Sequence, residues 1–143
     1  MELLNIFESS KKKEVINHLK NLVAIGKTDG CLDKVEIEKI KEIGLRNGLS
    51  VKKIATILNS DTQATEITGT LDEKFEKLYD IITVIAADGI LDEKEMFICE
   101  NLAVKMGFSN IVSGVMITQL FNGVISGKVK DKIKLEAETF LTY

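Results

Sequence analysis

The 143-residue sequence has no proline and no tryptophan, a single histidine, two cysteines and 6% aromatic residues. Each shortage closes off a class of function. Without proline there is no Pro-rich linker or recognition segment, and so few aromatics leave no platform on which single-stranded bases could stack. One histidine with Cys31 and Cys99 cannot make a His/Cys zinc site, and the two thiols are too far apart in sequence for a CxxC redox motif. Positive charge is also scarce. Lys and Arg total 19 against 22 Asp and Glu, giving a net charge of −3 and a pI near 5.3, whereas nucleic-acid binding needs a concentrated positive field. Nucleic acid is therefore excluded as an expected partner. The first apolar stretch, Met1 to Phe7, is short and carries Glu2 before any basic residue, so no signal peptide is expected. The thiols fit a reducing, cytoplasmic compartment.

What is present is a globular balance of 45% hydrophobic and 29% charged residues, enough apolar side chains for one domain spanning 1–143. Helical periodicity dominates, and no segment alternates with period two for long enough to form a strand. Val15, Leu19, Leu22 and Val23 share one face of a segment from about Ser10 to Lys27. Ile37, Ile40 and Ile43 mark a second helix that stops at Asn47-Gly48, where glycine can take the left-handed position. Ser50 reads as the N-cap of a third helix carrying Val51, Ile54, Ile57 and Leu58. After a polar connector, Thr70-Leu-Asp-Glu73 is a capping box that opens a fourth helix with Phe75, Leu78, Ile82 and Ile85 inward. A fifth helix runs from Asp92 to Met106-Gly107, a sixth starts at Ser109, and Val129 to Tyr143 supplies a seventh, with Ile133, Ala137 and Phe140 on one face.

The chain also repeats itself. Asp29-Gly30-Cys31-Leu32-Asp33-Lys34-Val35-Glu36 matches Asp88-Gly89-Ile90-Leu91-Asp92-Glu93-Lys94-Glu95, an offset of 59 residues (29 to 88), and both read D-G-x-L-D-x-x-E. The same offset pairs Leu19 with Leu78, Gly48 with Gly107 and Ser50 with Ser109. The expected fold is an all-α bundle of about seven helices. It consists of two pseudo-symmetric halves, roughly 15–59 and 74–120, a connector over 60–70 and a terminal helix over 129–143. From Met106 to Gly127 no residue is charged. Ser109, Asn110, Gln119, Asn122 and several glycines argue against a membrane span. We expect a central helix buried nearly all round, the sharper alternative being a partner or dimer surface at which Ser113 and Gly114 permit close approach.

The repeated turn concentrates the candidate chemistry. Asp33 with Glu36, and Asp92 with Glu95, have the spacing of an aspartate capping box at the positive end of a helix dipole. Asp29 and Asp88 are not explained that way, because each follows a helix whose C-terminal end disfavours a carboxylate. An Asx-type bond across the turn is one compensation, and a cation is another. The string equals positions five to twelve of an EF-hand loop, with a turn glycine and with two Asp, a backbone carbonyl and a Glu as ligands, yet positions one and three are Ile25 and Lys27 in the first copy and Val84 and Ala86 in the second. Lys27 opposes a cation in the first copy. The expectation is a weakly bound divalent cation, calcium or magnesium, more at Asp88, Asp92 and Glu95 than at Asp29, Asp33 and Glu36.

The two copies, above all Ile82-Thr-Val-Ile-Ala-Ala-Asp-Gly-Ile-Leu-Asp-Glu-Lys-Glu95, resemble the TerB-like family of tellurite-resistance and stress-response domains, a motif pair also seen in membrane-anchored DnaJ-like co-chaperones. The resemblance covers roughly Val15 to Ser109. It implies an all-α fold, no catalysis, a divalent-cation or interaction role, and protein partners, some of them membrane-associated. By position the matching acids are Asp29, Asp33 and Glu36, then Asp88, Asp92 and Glu95; the first copy departs at Lys27-Thr28, where the family has small residues. Two alternatives stand beside a non-enzymatic module: an EF-hand-like calcium switch, and a carboxylate-based metal-dependent hydrolase needing a pocket that holds acids of both turns. His18 reads as a boundary histidine, Cys99 as a small packed hydrophobe, and Lys11-Lys12-Lys13 as a solvated helix start. Cys31 lacks a neighbouring histidine to activate it.

Overall fold

The computed structural model describes residues 2–27, 32–61 and 67–139, with side chains from Lys11 onward. Among these residues there are seven α-helices and no strand: α1 Glu2–Gly26, α2 Lys34–Arg46, α3 Val51–Leu58, α4 Leu71–Ile85, α5 Glu93–Lys105, α6 Asn110–Ile125 and α7 Lys130–Glu138. They fall into two compact units, Met1–Thr65 with α1 to α3 and Glu66–Tyr143 with α4 to α7.

In the first unit α1 begins at Glu2, well before the Ser10 start expected from its apolar face. Lys11, Lys12 and Lys13 are exposed within the helix rather than at its beginning. Leu19, Leu22, Val23 and Ile25 are buried, and His18 lies inside the same face at 8% exposure instead of at its border. α2 contributes Ile40 and Ile43, and α3 contributes Ile54 and Ile57. Gly44 lets α2 approach its neighbours: a Cβ there would lie 2.8 Å from Ile54 Cδ1 and 3.2 Å from Leu19 Cδ2. The Lys27 ammonium donates to the carbonyls of Leu58 and Ser60, both at 3.3 Å, and so caps the C-terminal end of α3.

In the second unit α4 is the helix covered on most sides, with Phe75, Leu78, Asp80, Ile81, Ile82, Val84 and Ile85 buried. α6 packs against α4, α5 and α7 and buries Ser113, Met116, Ile117, Leu120, Phe121 and Gly123. It is not buried all round. Ile111, Val115 and Ile125 are 85%, 49% and 49% exposed, so the absence of charge in this helix marks a two-faced element rather than a central one. The small residues also serve packing within the unit. Ser113 is fully buried, and a Cβ on Gly114 would lie 3.1 Å from the Glu100 carboxylate on α5. α7 is tied to α4 by Lys130–Glu76 and by Lys134–Asp72 at 3.2 Å, and the Lys130 ammonium sits 5.1 Å from the Tyr79 ring centre.

Local signals recur in both units. Asp33 (φ −82°, ψ 170°) and Asp92 (φ −81°, ψ 169°) are N-caps with nearly the same backbone geometry. Ser50 and Ser109 cap α3 and α6. Gly48 and Gly107 have φ of +87° and +113°, as expected from their places after α2 and α5. At both, the two residues after the cap donate back to the last turn: Gly48 to Leu45 and Leu49 to Gly44, both at 3.0 Å, then Gly107 to Val104 at 3.0 Å and Phe108 to Ala103 at 3.2 Å. This is the Schellman pattern, in which glycine takes a conformation that costs a residue with a Cβ about 1 kcal/mol or more.

Candidate functional site: the acidic turn between α4 and α5

The turn at 86–95 is built almost wholly from its own backbone and carboxylates. α4 tightens into a 3-10 turn over Ala86–Asp88, and Gly89 at φ +78° donates to the Ala86 carbonyl at 2.9 Å. Asp88 Oδ1 accepts the Ile90 N–H at 2.9 Å. That is the Asx-type bond, and it compensates a carboxylate placed just past the negative end of α4. Asp92 Oδ1 accepts the Glu95 N–H at 2.8 Å, and Glu95 Oε1 accepts the Asp92 N–H at 3.3 Å. The capping box is complete, and two of the orphan amides that open α5 are satisfied.

The first copy repeats the part that is described. Asp33 Oδ1 accepts the Glu36 N–H at 2.8 Å and Glu36 Oε1 accepts the Asp33 N–H at 3.1 Å. Asp29 and Cys31 lie outside the described residues.

The N3 glutamates are the unexpected element. Glu36 and Glu95 are only 4% and 5% exposed, which no capping-box pattern announces. Burial pushes the Glu95 carboxyl up to about 7. The amide of Asp92 pulls it down, while the charges of Asp92 and Asp88 add to the rise. One turn further along α5, Cys99 is fully buried, and burial, helped by Glu95 and Glu100, pushes its thiol up to about 12. It packs as a small hydrophobe and is not a thiolate nucleophile.

As placed, the described acids are not gathered into a ligand cluster. Asp88, Asp92 and Glu95 each spend an oxygen on a turn amide, and Glu95 is buried while Asp88 is exposed. Among the described residues no three His, Cys, Asp or Glu side chains are placed to hold a metal ion, whereas calcium asks for six to eight oxygens. A pocket of about 160 Å³ in the second unit is lined by Leu71, Phe75, Met106, Phe108 and Ala137 with Asp72, Lys134 and Glu138 at its polar edge. None of the turn acids lines it, so it does not answer to the hydrolase alternative.

What the turn does present outward is apolar. Ile90 in the turn and Phe97 on α5 are each 65% exposed, among the exposed residues Glu93, Lys94 and Asn101. The sequence reading missed both, because neither position breaks the period of a helix or belongs to the repeated acids. No protein-family model, curated protein or solved structure matches this chain. Among the described residues no helix is long and apolar enough to cross a membrane.

Proposed function

We propose that the chain is a non-enzymatic, cytoplasmic TerB-like module that binds protein partners in stress- or metal-resistance-type complexes, and that its two halves are related repeats. The observation that carries the binding reading is Ile90 and Phe97, two large apolar side chains 65% exposed beside a turn whose three acids each bond one of its own amides. Such side chains favour burial against a partner by about 1.5–3 kcal/mol each when fully covered, and aromatic anchors of this kind dominate protein interfaces. The exposed acids Asp88 and Glu93 then form a charged rim that selects partners and steers them. The repeat reading is supported by the paired capping boxes, serine caps and positive-φ glycines at a common offset of 59. The family reading is supported by the two D-G-x-L-D-x-x-E strings.

The test is affinity capture from native cytosol and membranes with the wild-type chain and with Ile90→Ser/Phe97→Ala. Capture of a defined partner by the wild type and its loss in the variant, with helicity unchanged, is the expected result. Equal capture by both chains, or none by either, overturns it.

A further inference from the structure

We propose that the second unit carries a binding pocket for a small organic ammonium ion, a primary amine attached to one ring-sized apolar body. The pocket is separate from the acidic turn, so the proposal does not rest on the partner-binding reading above.

The pocket lies between α4, α7 and the turn that follows α5, and encloses about 160 Å³. Phe75, Met106, Phe108 and Ala137 form its floor. Each is buried yet keeps 4–8% of its surface open, whereas a core position such as Leu78 keeps none. That residual surface is the apolar wall of the pocket. A cavity of about 150 Å³ lined by such side chains takes one benzene ring. The space here therefore suits a single aromatic ring, or a branched alkyl group of similar bulk. Hydrocarbon and one thioether cannot choose between ligands of equal shape, so selection falls to the mouth.

Charge at the mouth identifies the head group. Asp72, Glu138 and Lys134 stand there, two carboxylates against one ammonium. Lys134 is already engaged. Its ammonium meets Asp72 Oδ1 at 3.2 Å, and that bond, with the charges of Asp72, Glu76 and Glu138, holds it above the ordinary lysine range. An anionic ligand would compete with three acids for this one lysine. A cationic ligand relieves an excess of negative charge instead.

The helix ends at the pocket point the same way. The positive end of α4 is matched by Asp72 and Glu73 in its first turn, and the negative end of α5 by Lys105 in its last. α7 ends at Glu138 with no basic residue in its last turn, so a carboxylate stands where the dipole disfavours it. A ligand ammonium donating to Glu138 supplies the missing cation through a charge-assisted hydrogen bond, while its apolar body rests on Phe75 and Phe108.

The test is a titration of the full chain with benzylamine, benzyl alcohol and phenylacetate, one ring carrying a cationic, a neutral and an anionic head. It is followed through the methyl resonances of Met106 and Ala137. Benzylamine is expected to shift both methyls and to bind about tenfold more tightly than benzyl alcohol, the factor for one charge-assisted hydrogen bond, with phenylacetate weakest. Glu138→Gln, at an exposed position, is expected to abolish that preference and to leave the binding of benzyl alcohol as it was. No shift from any of the three compounds at tens of millimolar would overturn the proposal. So would phenylacetate binding as well as benzylamine, an amine preference that survives in Glu138→Gln, or shifts confined to residues outside the pocket.

Discussion

Glu95 offers the sharpest quantitative test of how the acidic turn is built. Its carboxyl is 5% exposed and titrates near 7 in the folded chain, against a reference of 4.5. Because the folded-state value is raised, the folded protein binds more protons than the unfolded one between those two pH values. The stabilising contribution is fully present below about 4.5 and is lost as pH rises through 7, so ionising Glu95 works against the fold. The full shift converts to at most about 3 kcal/mol. Asp92 beside it is only half-buried, and water reaching that edge reduces the figure to about 1–2 kcal/mol. Glu95→Gln keeps an oxygen for the Asp92 amide and removes the ionisation. At pH 4, below the unfolded value, the two proteins are expected to melt together. At pH 8 the variant should be more stable by that 1–2 kcal/mol, which for a unit of this size is about 5–10 °C in Tm. Melting curves followed by circular dichroism at half-unit pH steps measure the difference. Parallel pH profiles for the two proteins between 5 and 8 would show that Glu95 is solvated and that the buried capping box is wrong.

Three further outcomes follow from named contacts. Gly107→Ala forces a Cβ into φ +113° and is expected to lower stability by about 1–2 kcal/mol, measured by urea titration; an unchanged midpoint would remove the glycine stop after α5. Calcium, magnesium and manganese up to millimolar concentrations are expected to leave Tm and backbone shifts unchanged in wild type and Asp88→Asn, since Asp88, Asp92 and Glu95 each commit one carboxylate oxygen to a turn amide and Glu95 is buried; a metal-dependent rise in wild type that the variant loses would assign a divalent cation to the turn. In a Cys31→Ser background, Cys99 is expected to resist a thiol reagent at pH 8 until the fold melts, because its thiol is buried and titrates near 12.

Much of this fold is readable because it is written in short-range chemistry. A cap is decided by residues three apart, so Asp33 with Glu36, Thr70 with Glu73 and Asp92 with Glu95 announce their hydrogen bonds without tertiary information. Gly48 and Gly107 announce left-handed stops for the same reason. The failures are all non-local. The partners of Lys27, the Leu58 and Ser60 carbonyls, lie more than thirty residues away, so no local pattern names them. The capping pattern states what Glu36 and Glu95 bond to but not which side of the helix packs, so their burial was invisible. The uncharged run through α6 leaves burial and an exposed contact face both open, because lack of charge says only that a face tolerates contact; whether the fold itself supplies that contact depends on the arrangement of α4, α5 and α7.

The two places where local rules and global structure disagree are therefore informative. Sequences that fold uniquely keep their levels consistent, and departures concentrate where something other than folding is served. A carboxyl held near neutrality at the start of α5 contributes less to stability than a glutamine would, by the argument above. An aliphatic stripe left in water on α6 is a solubility cost that a few polar substitutions would remove. Around both features the caps, glycine stops and core positions follow the ordinary rules closely, so neither reflects a poorly specified fold. The proposed partner surface adjoins the first departure: Ile90 and Phe97 flank the turn that Glu95 closes. Repairing each departure separately, with Glu95→Gln for the carboxyl and Ile111→Asp/Val115→Asp for the stripe, should leave the helices intact while altering the pH response in the first case only. A pH response altered by the stripe substitutions as well would mean that the two features are one coupled device.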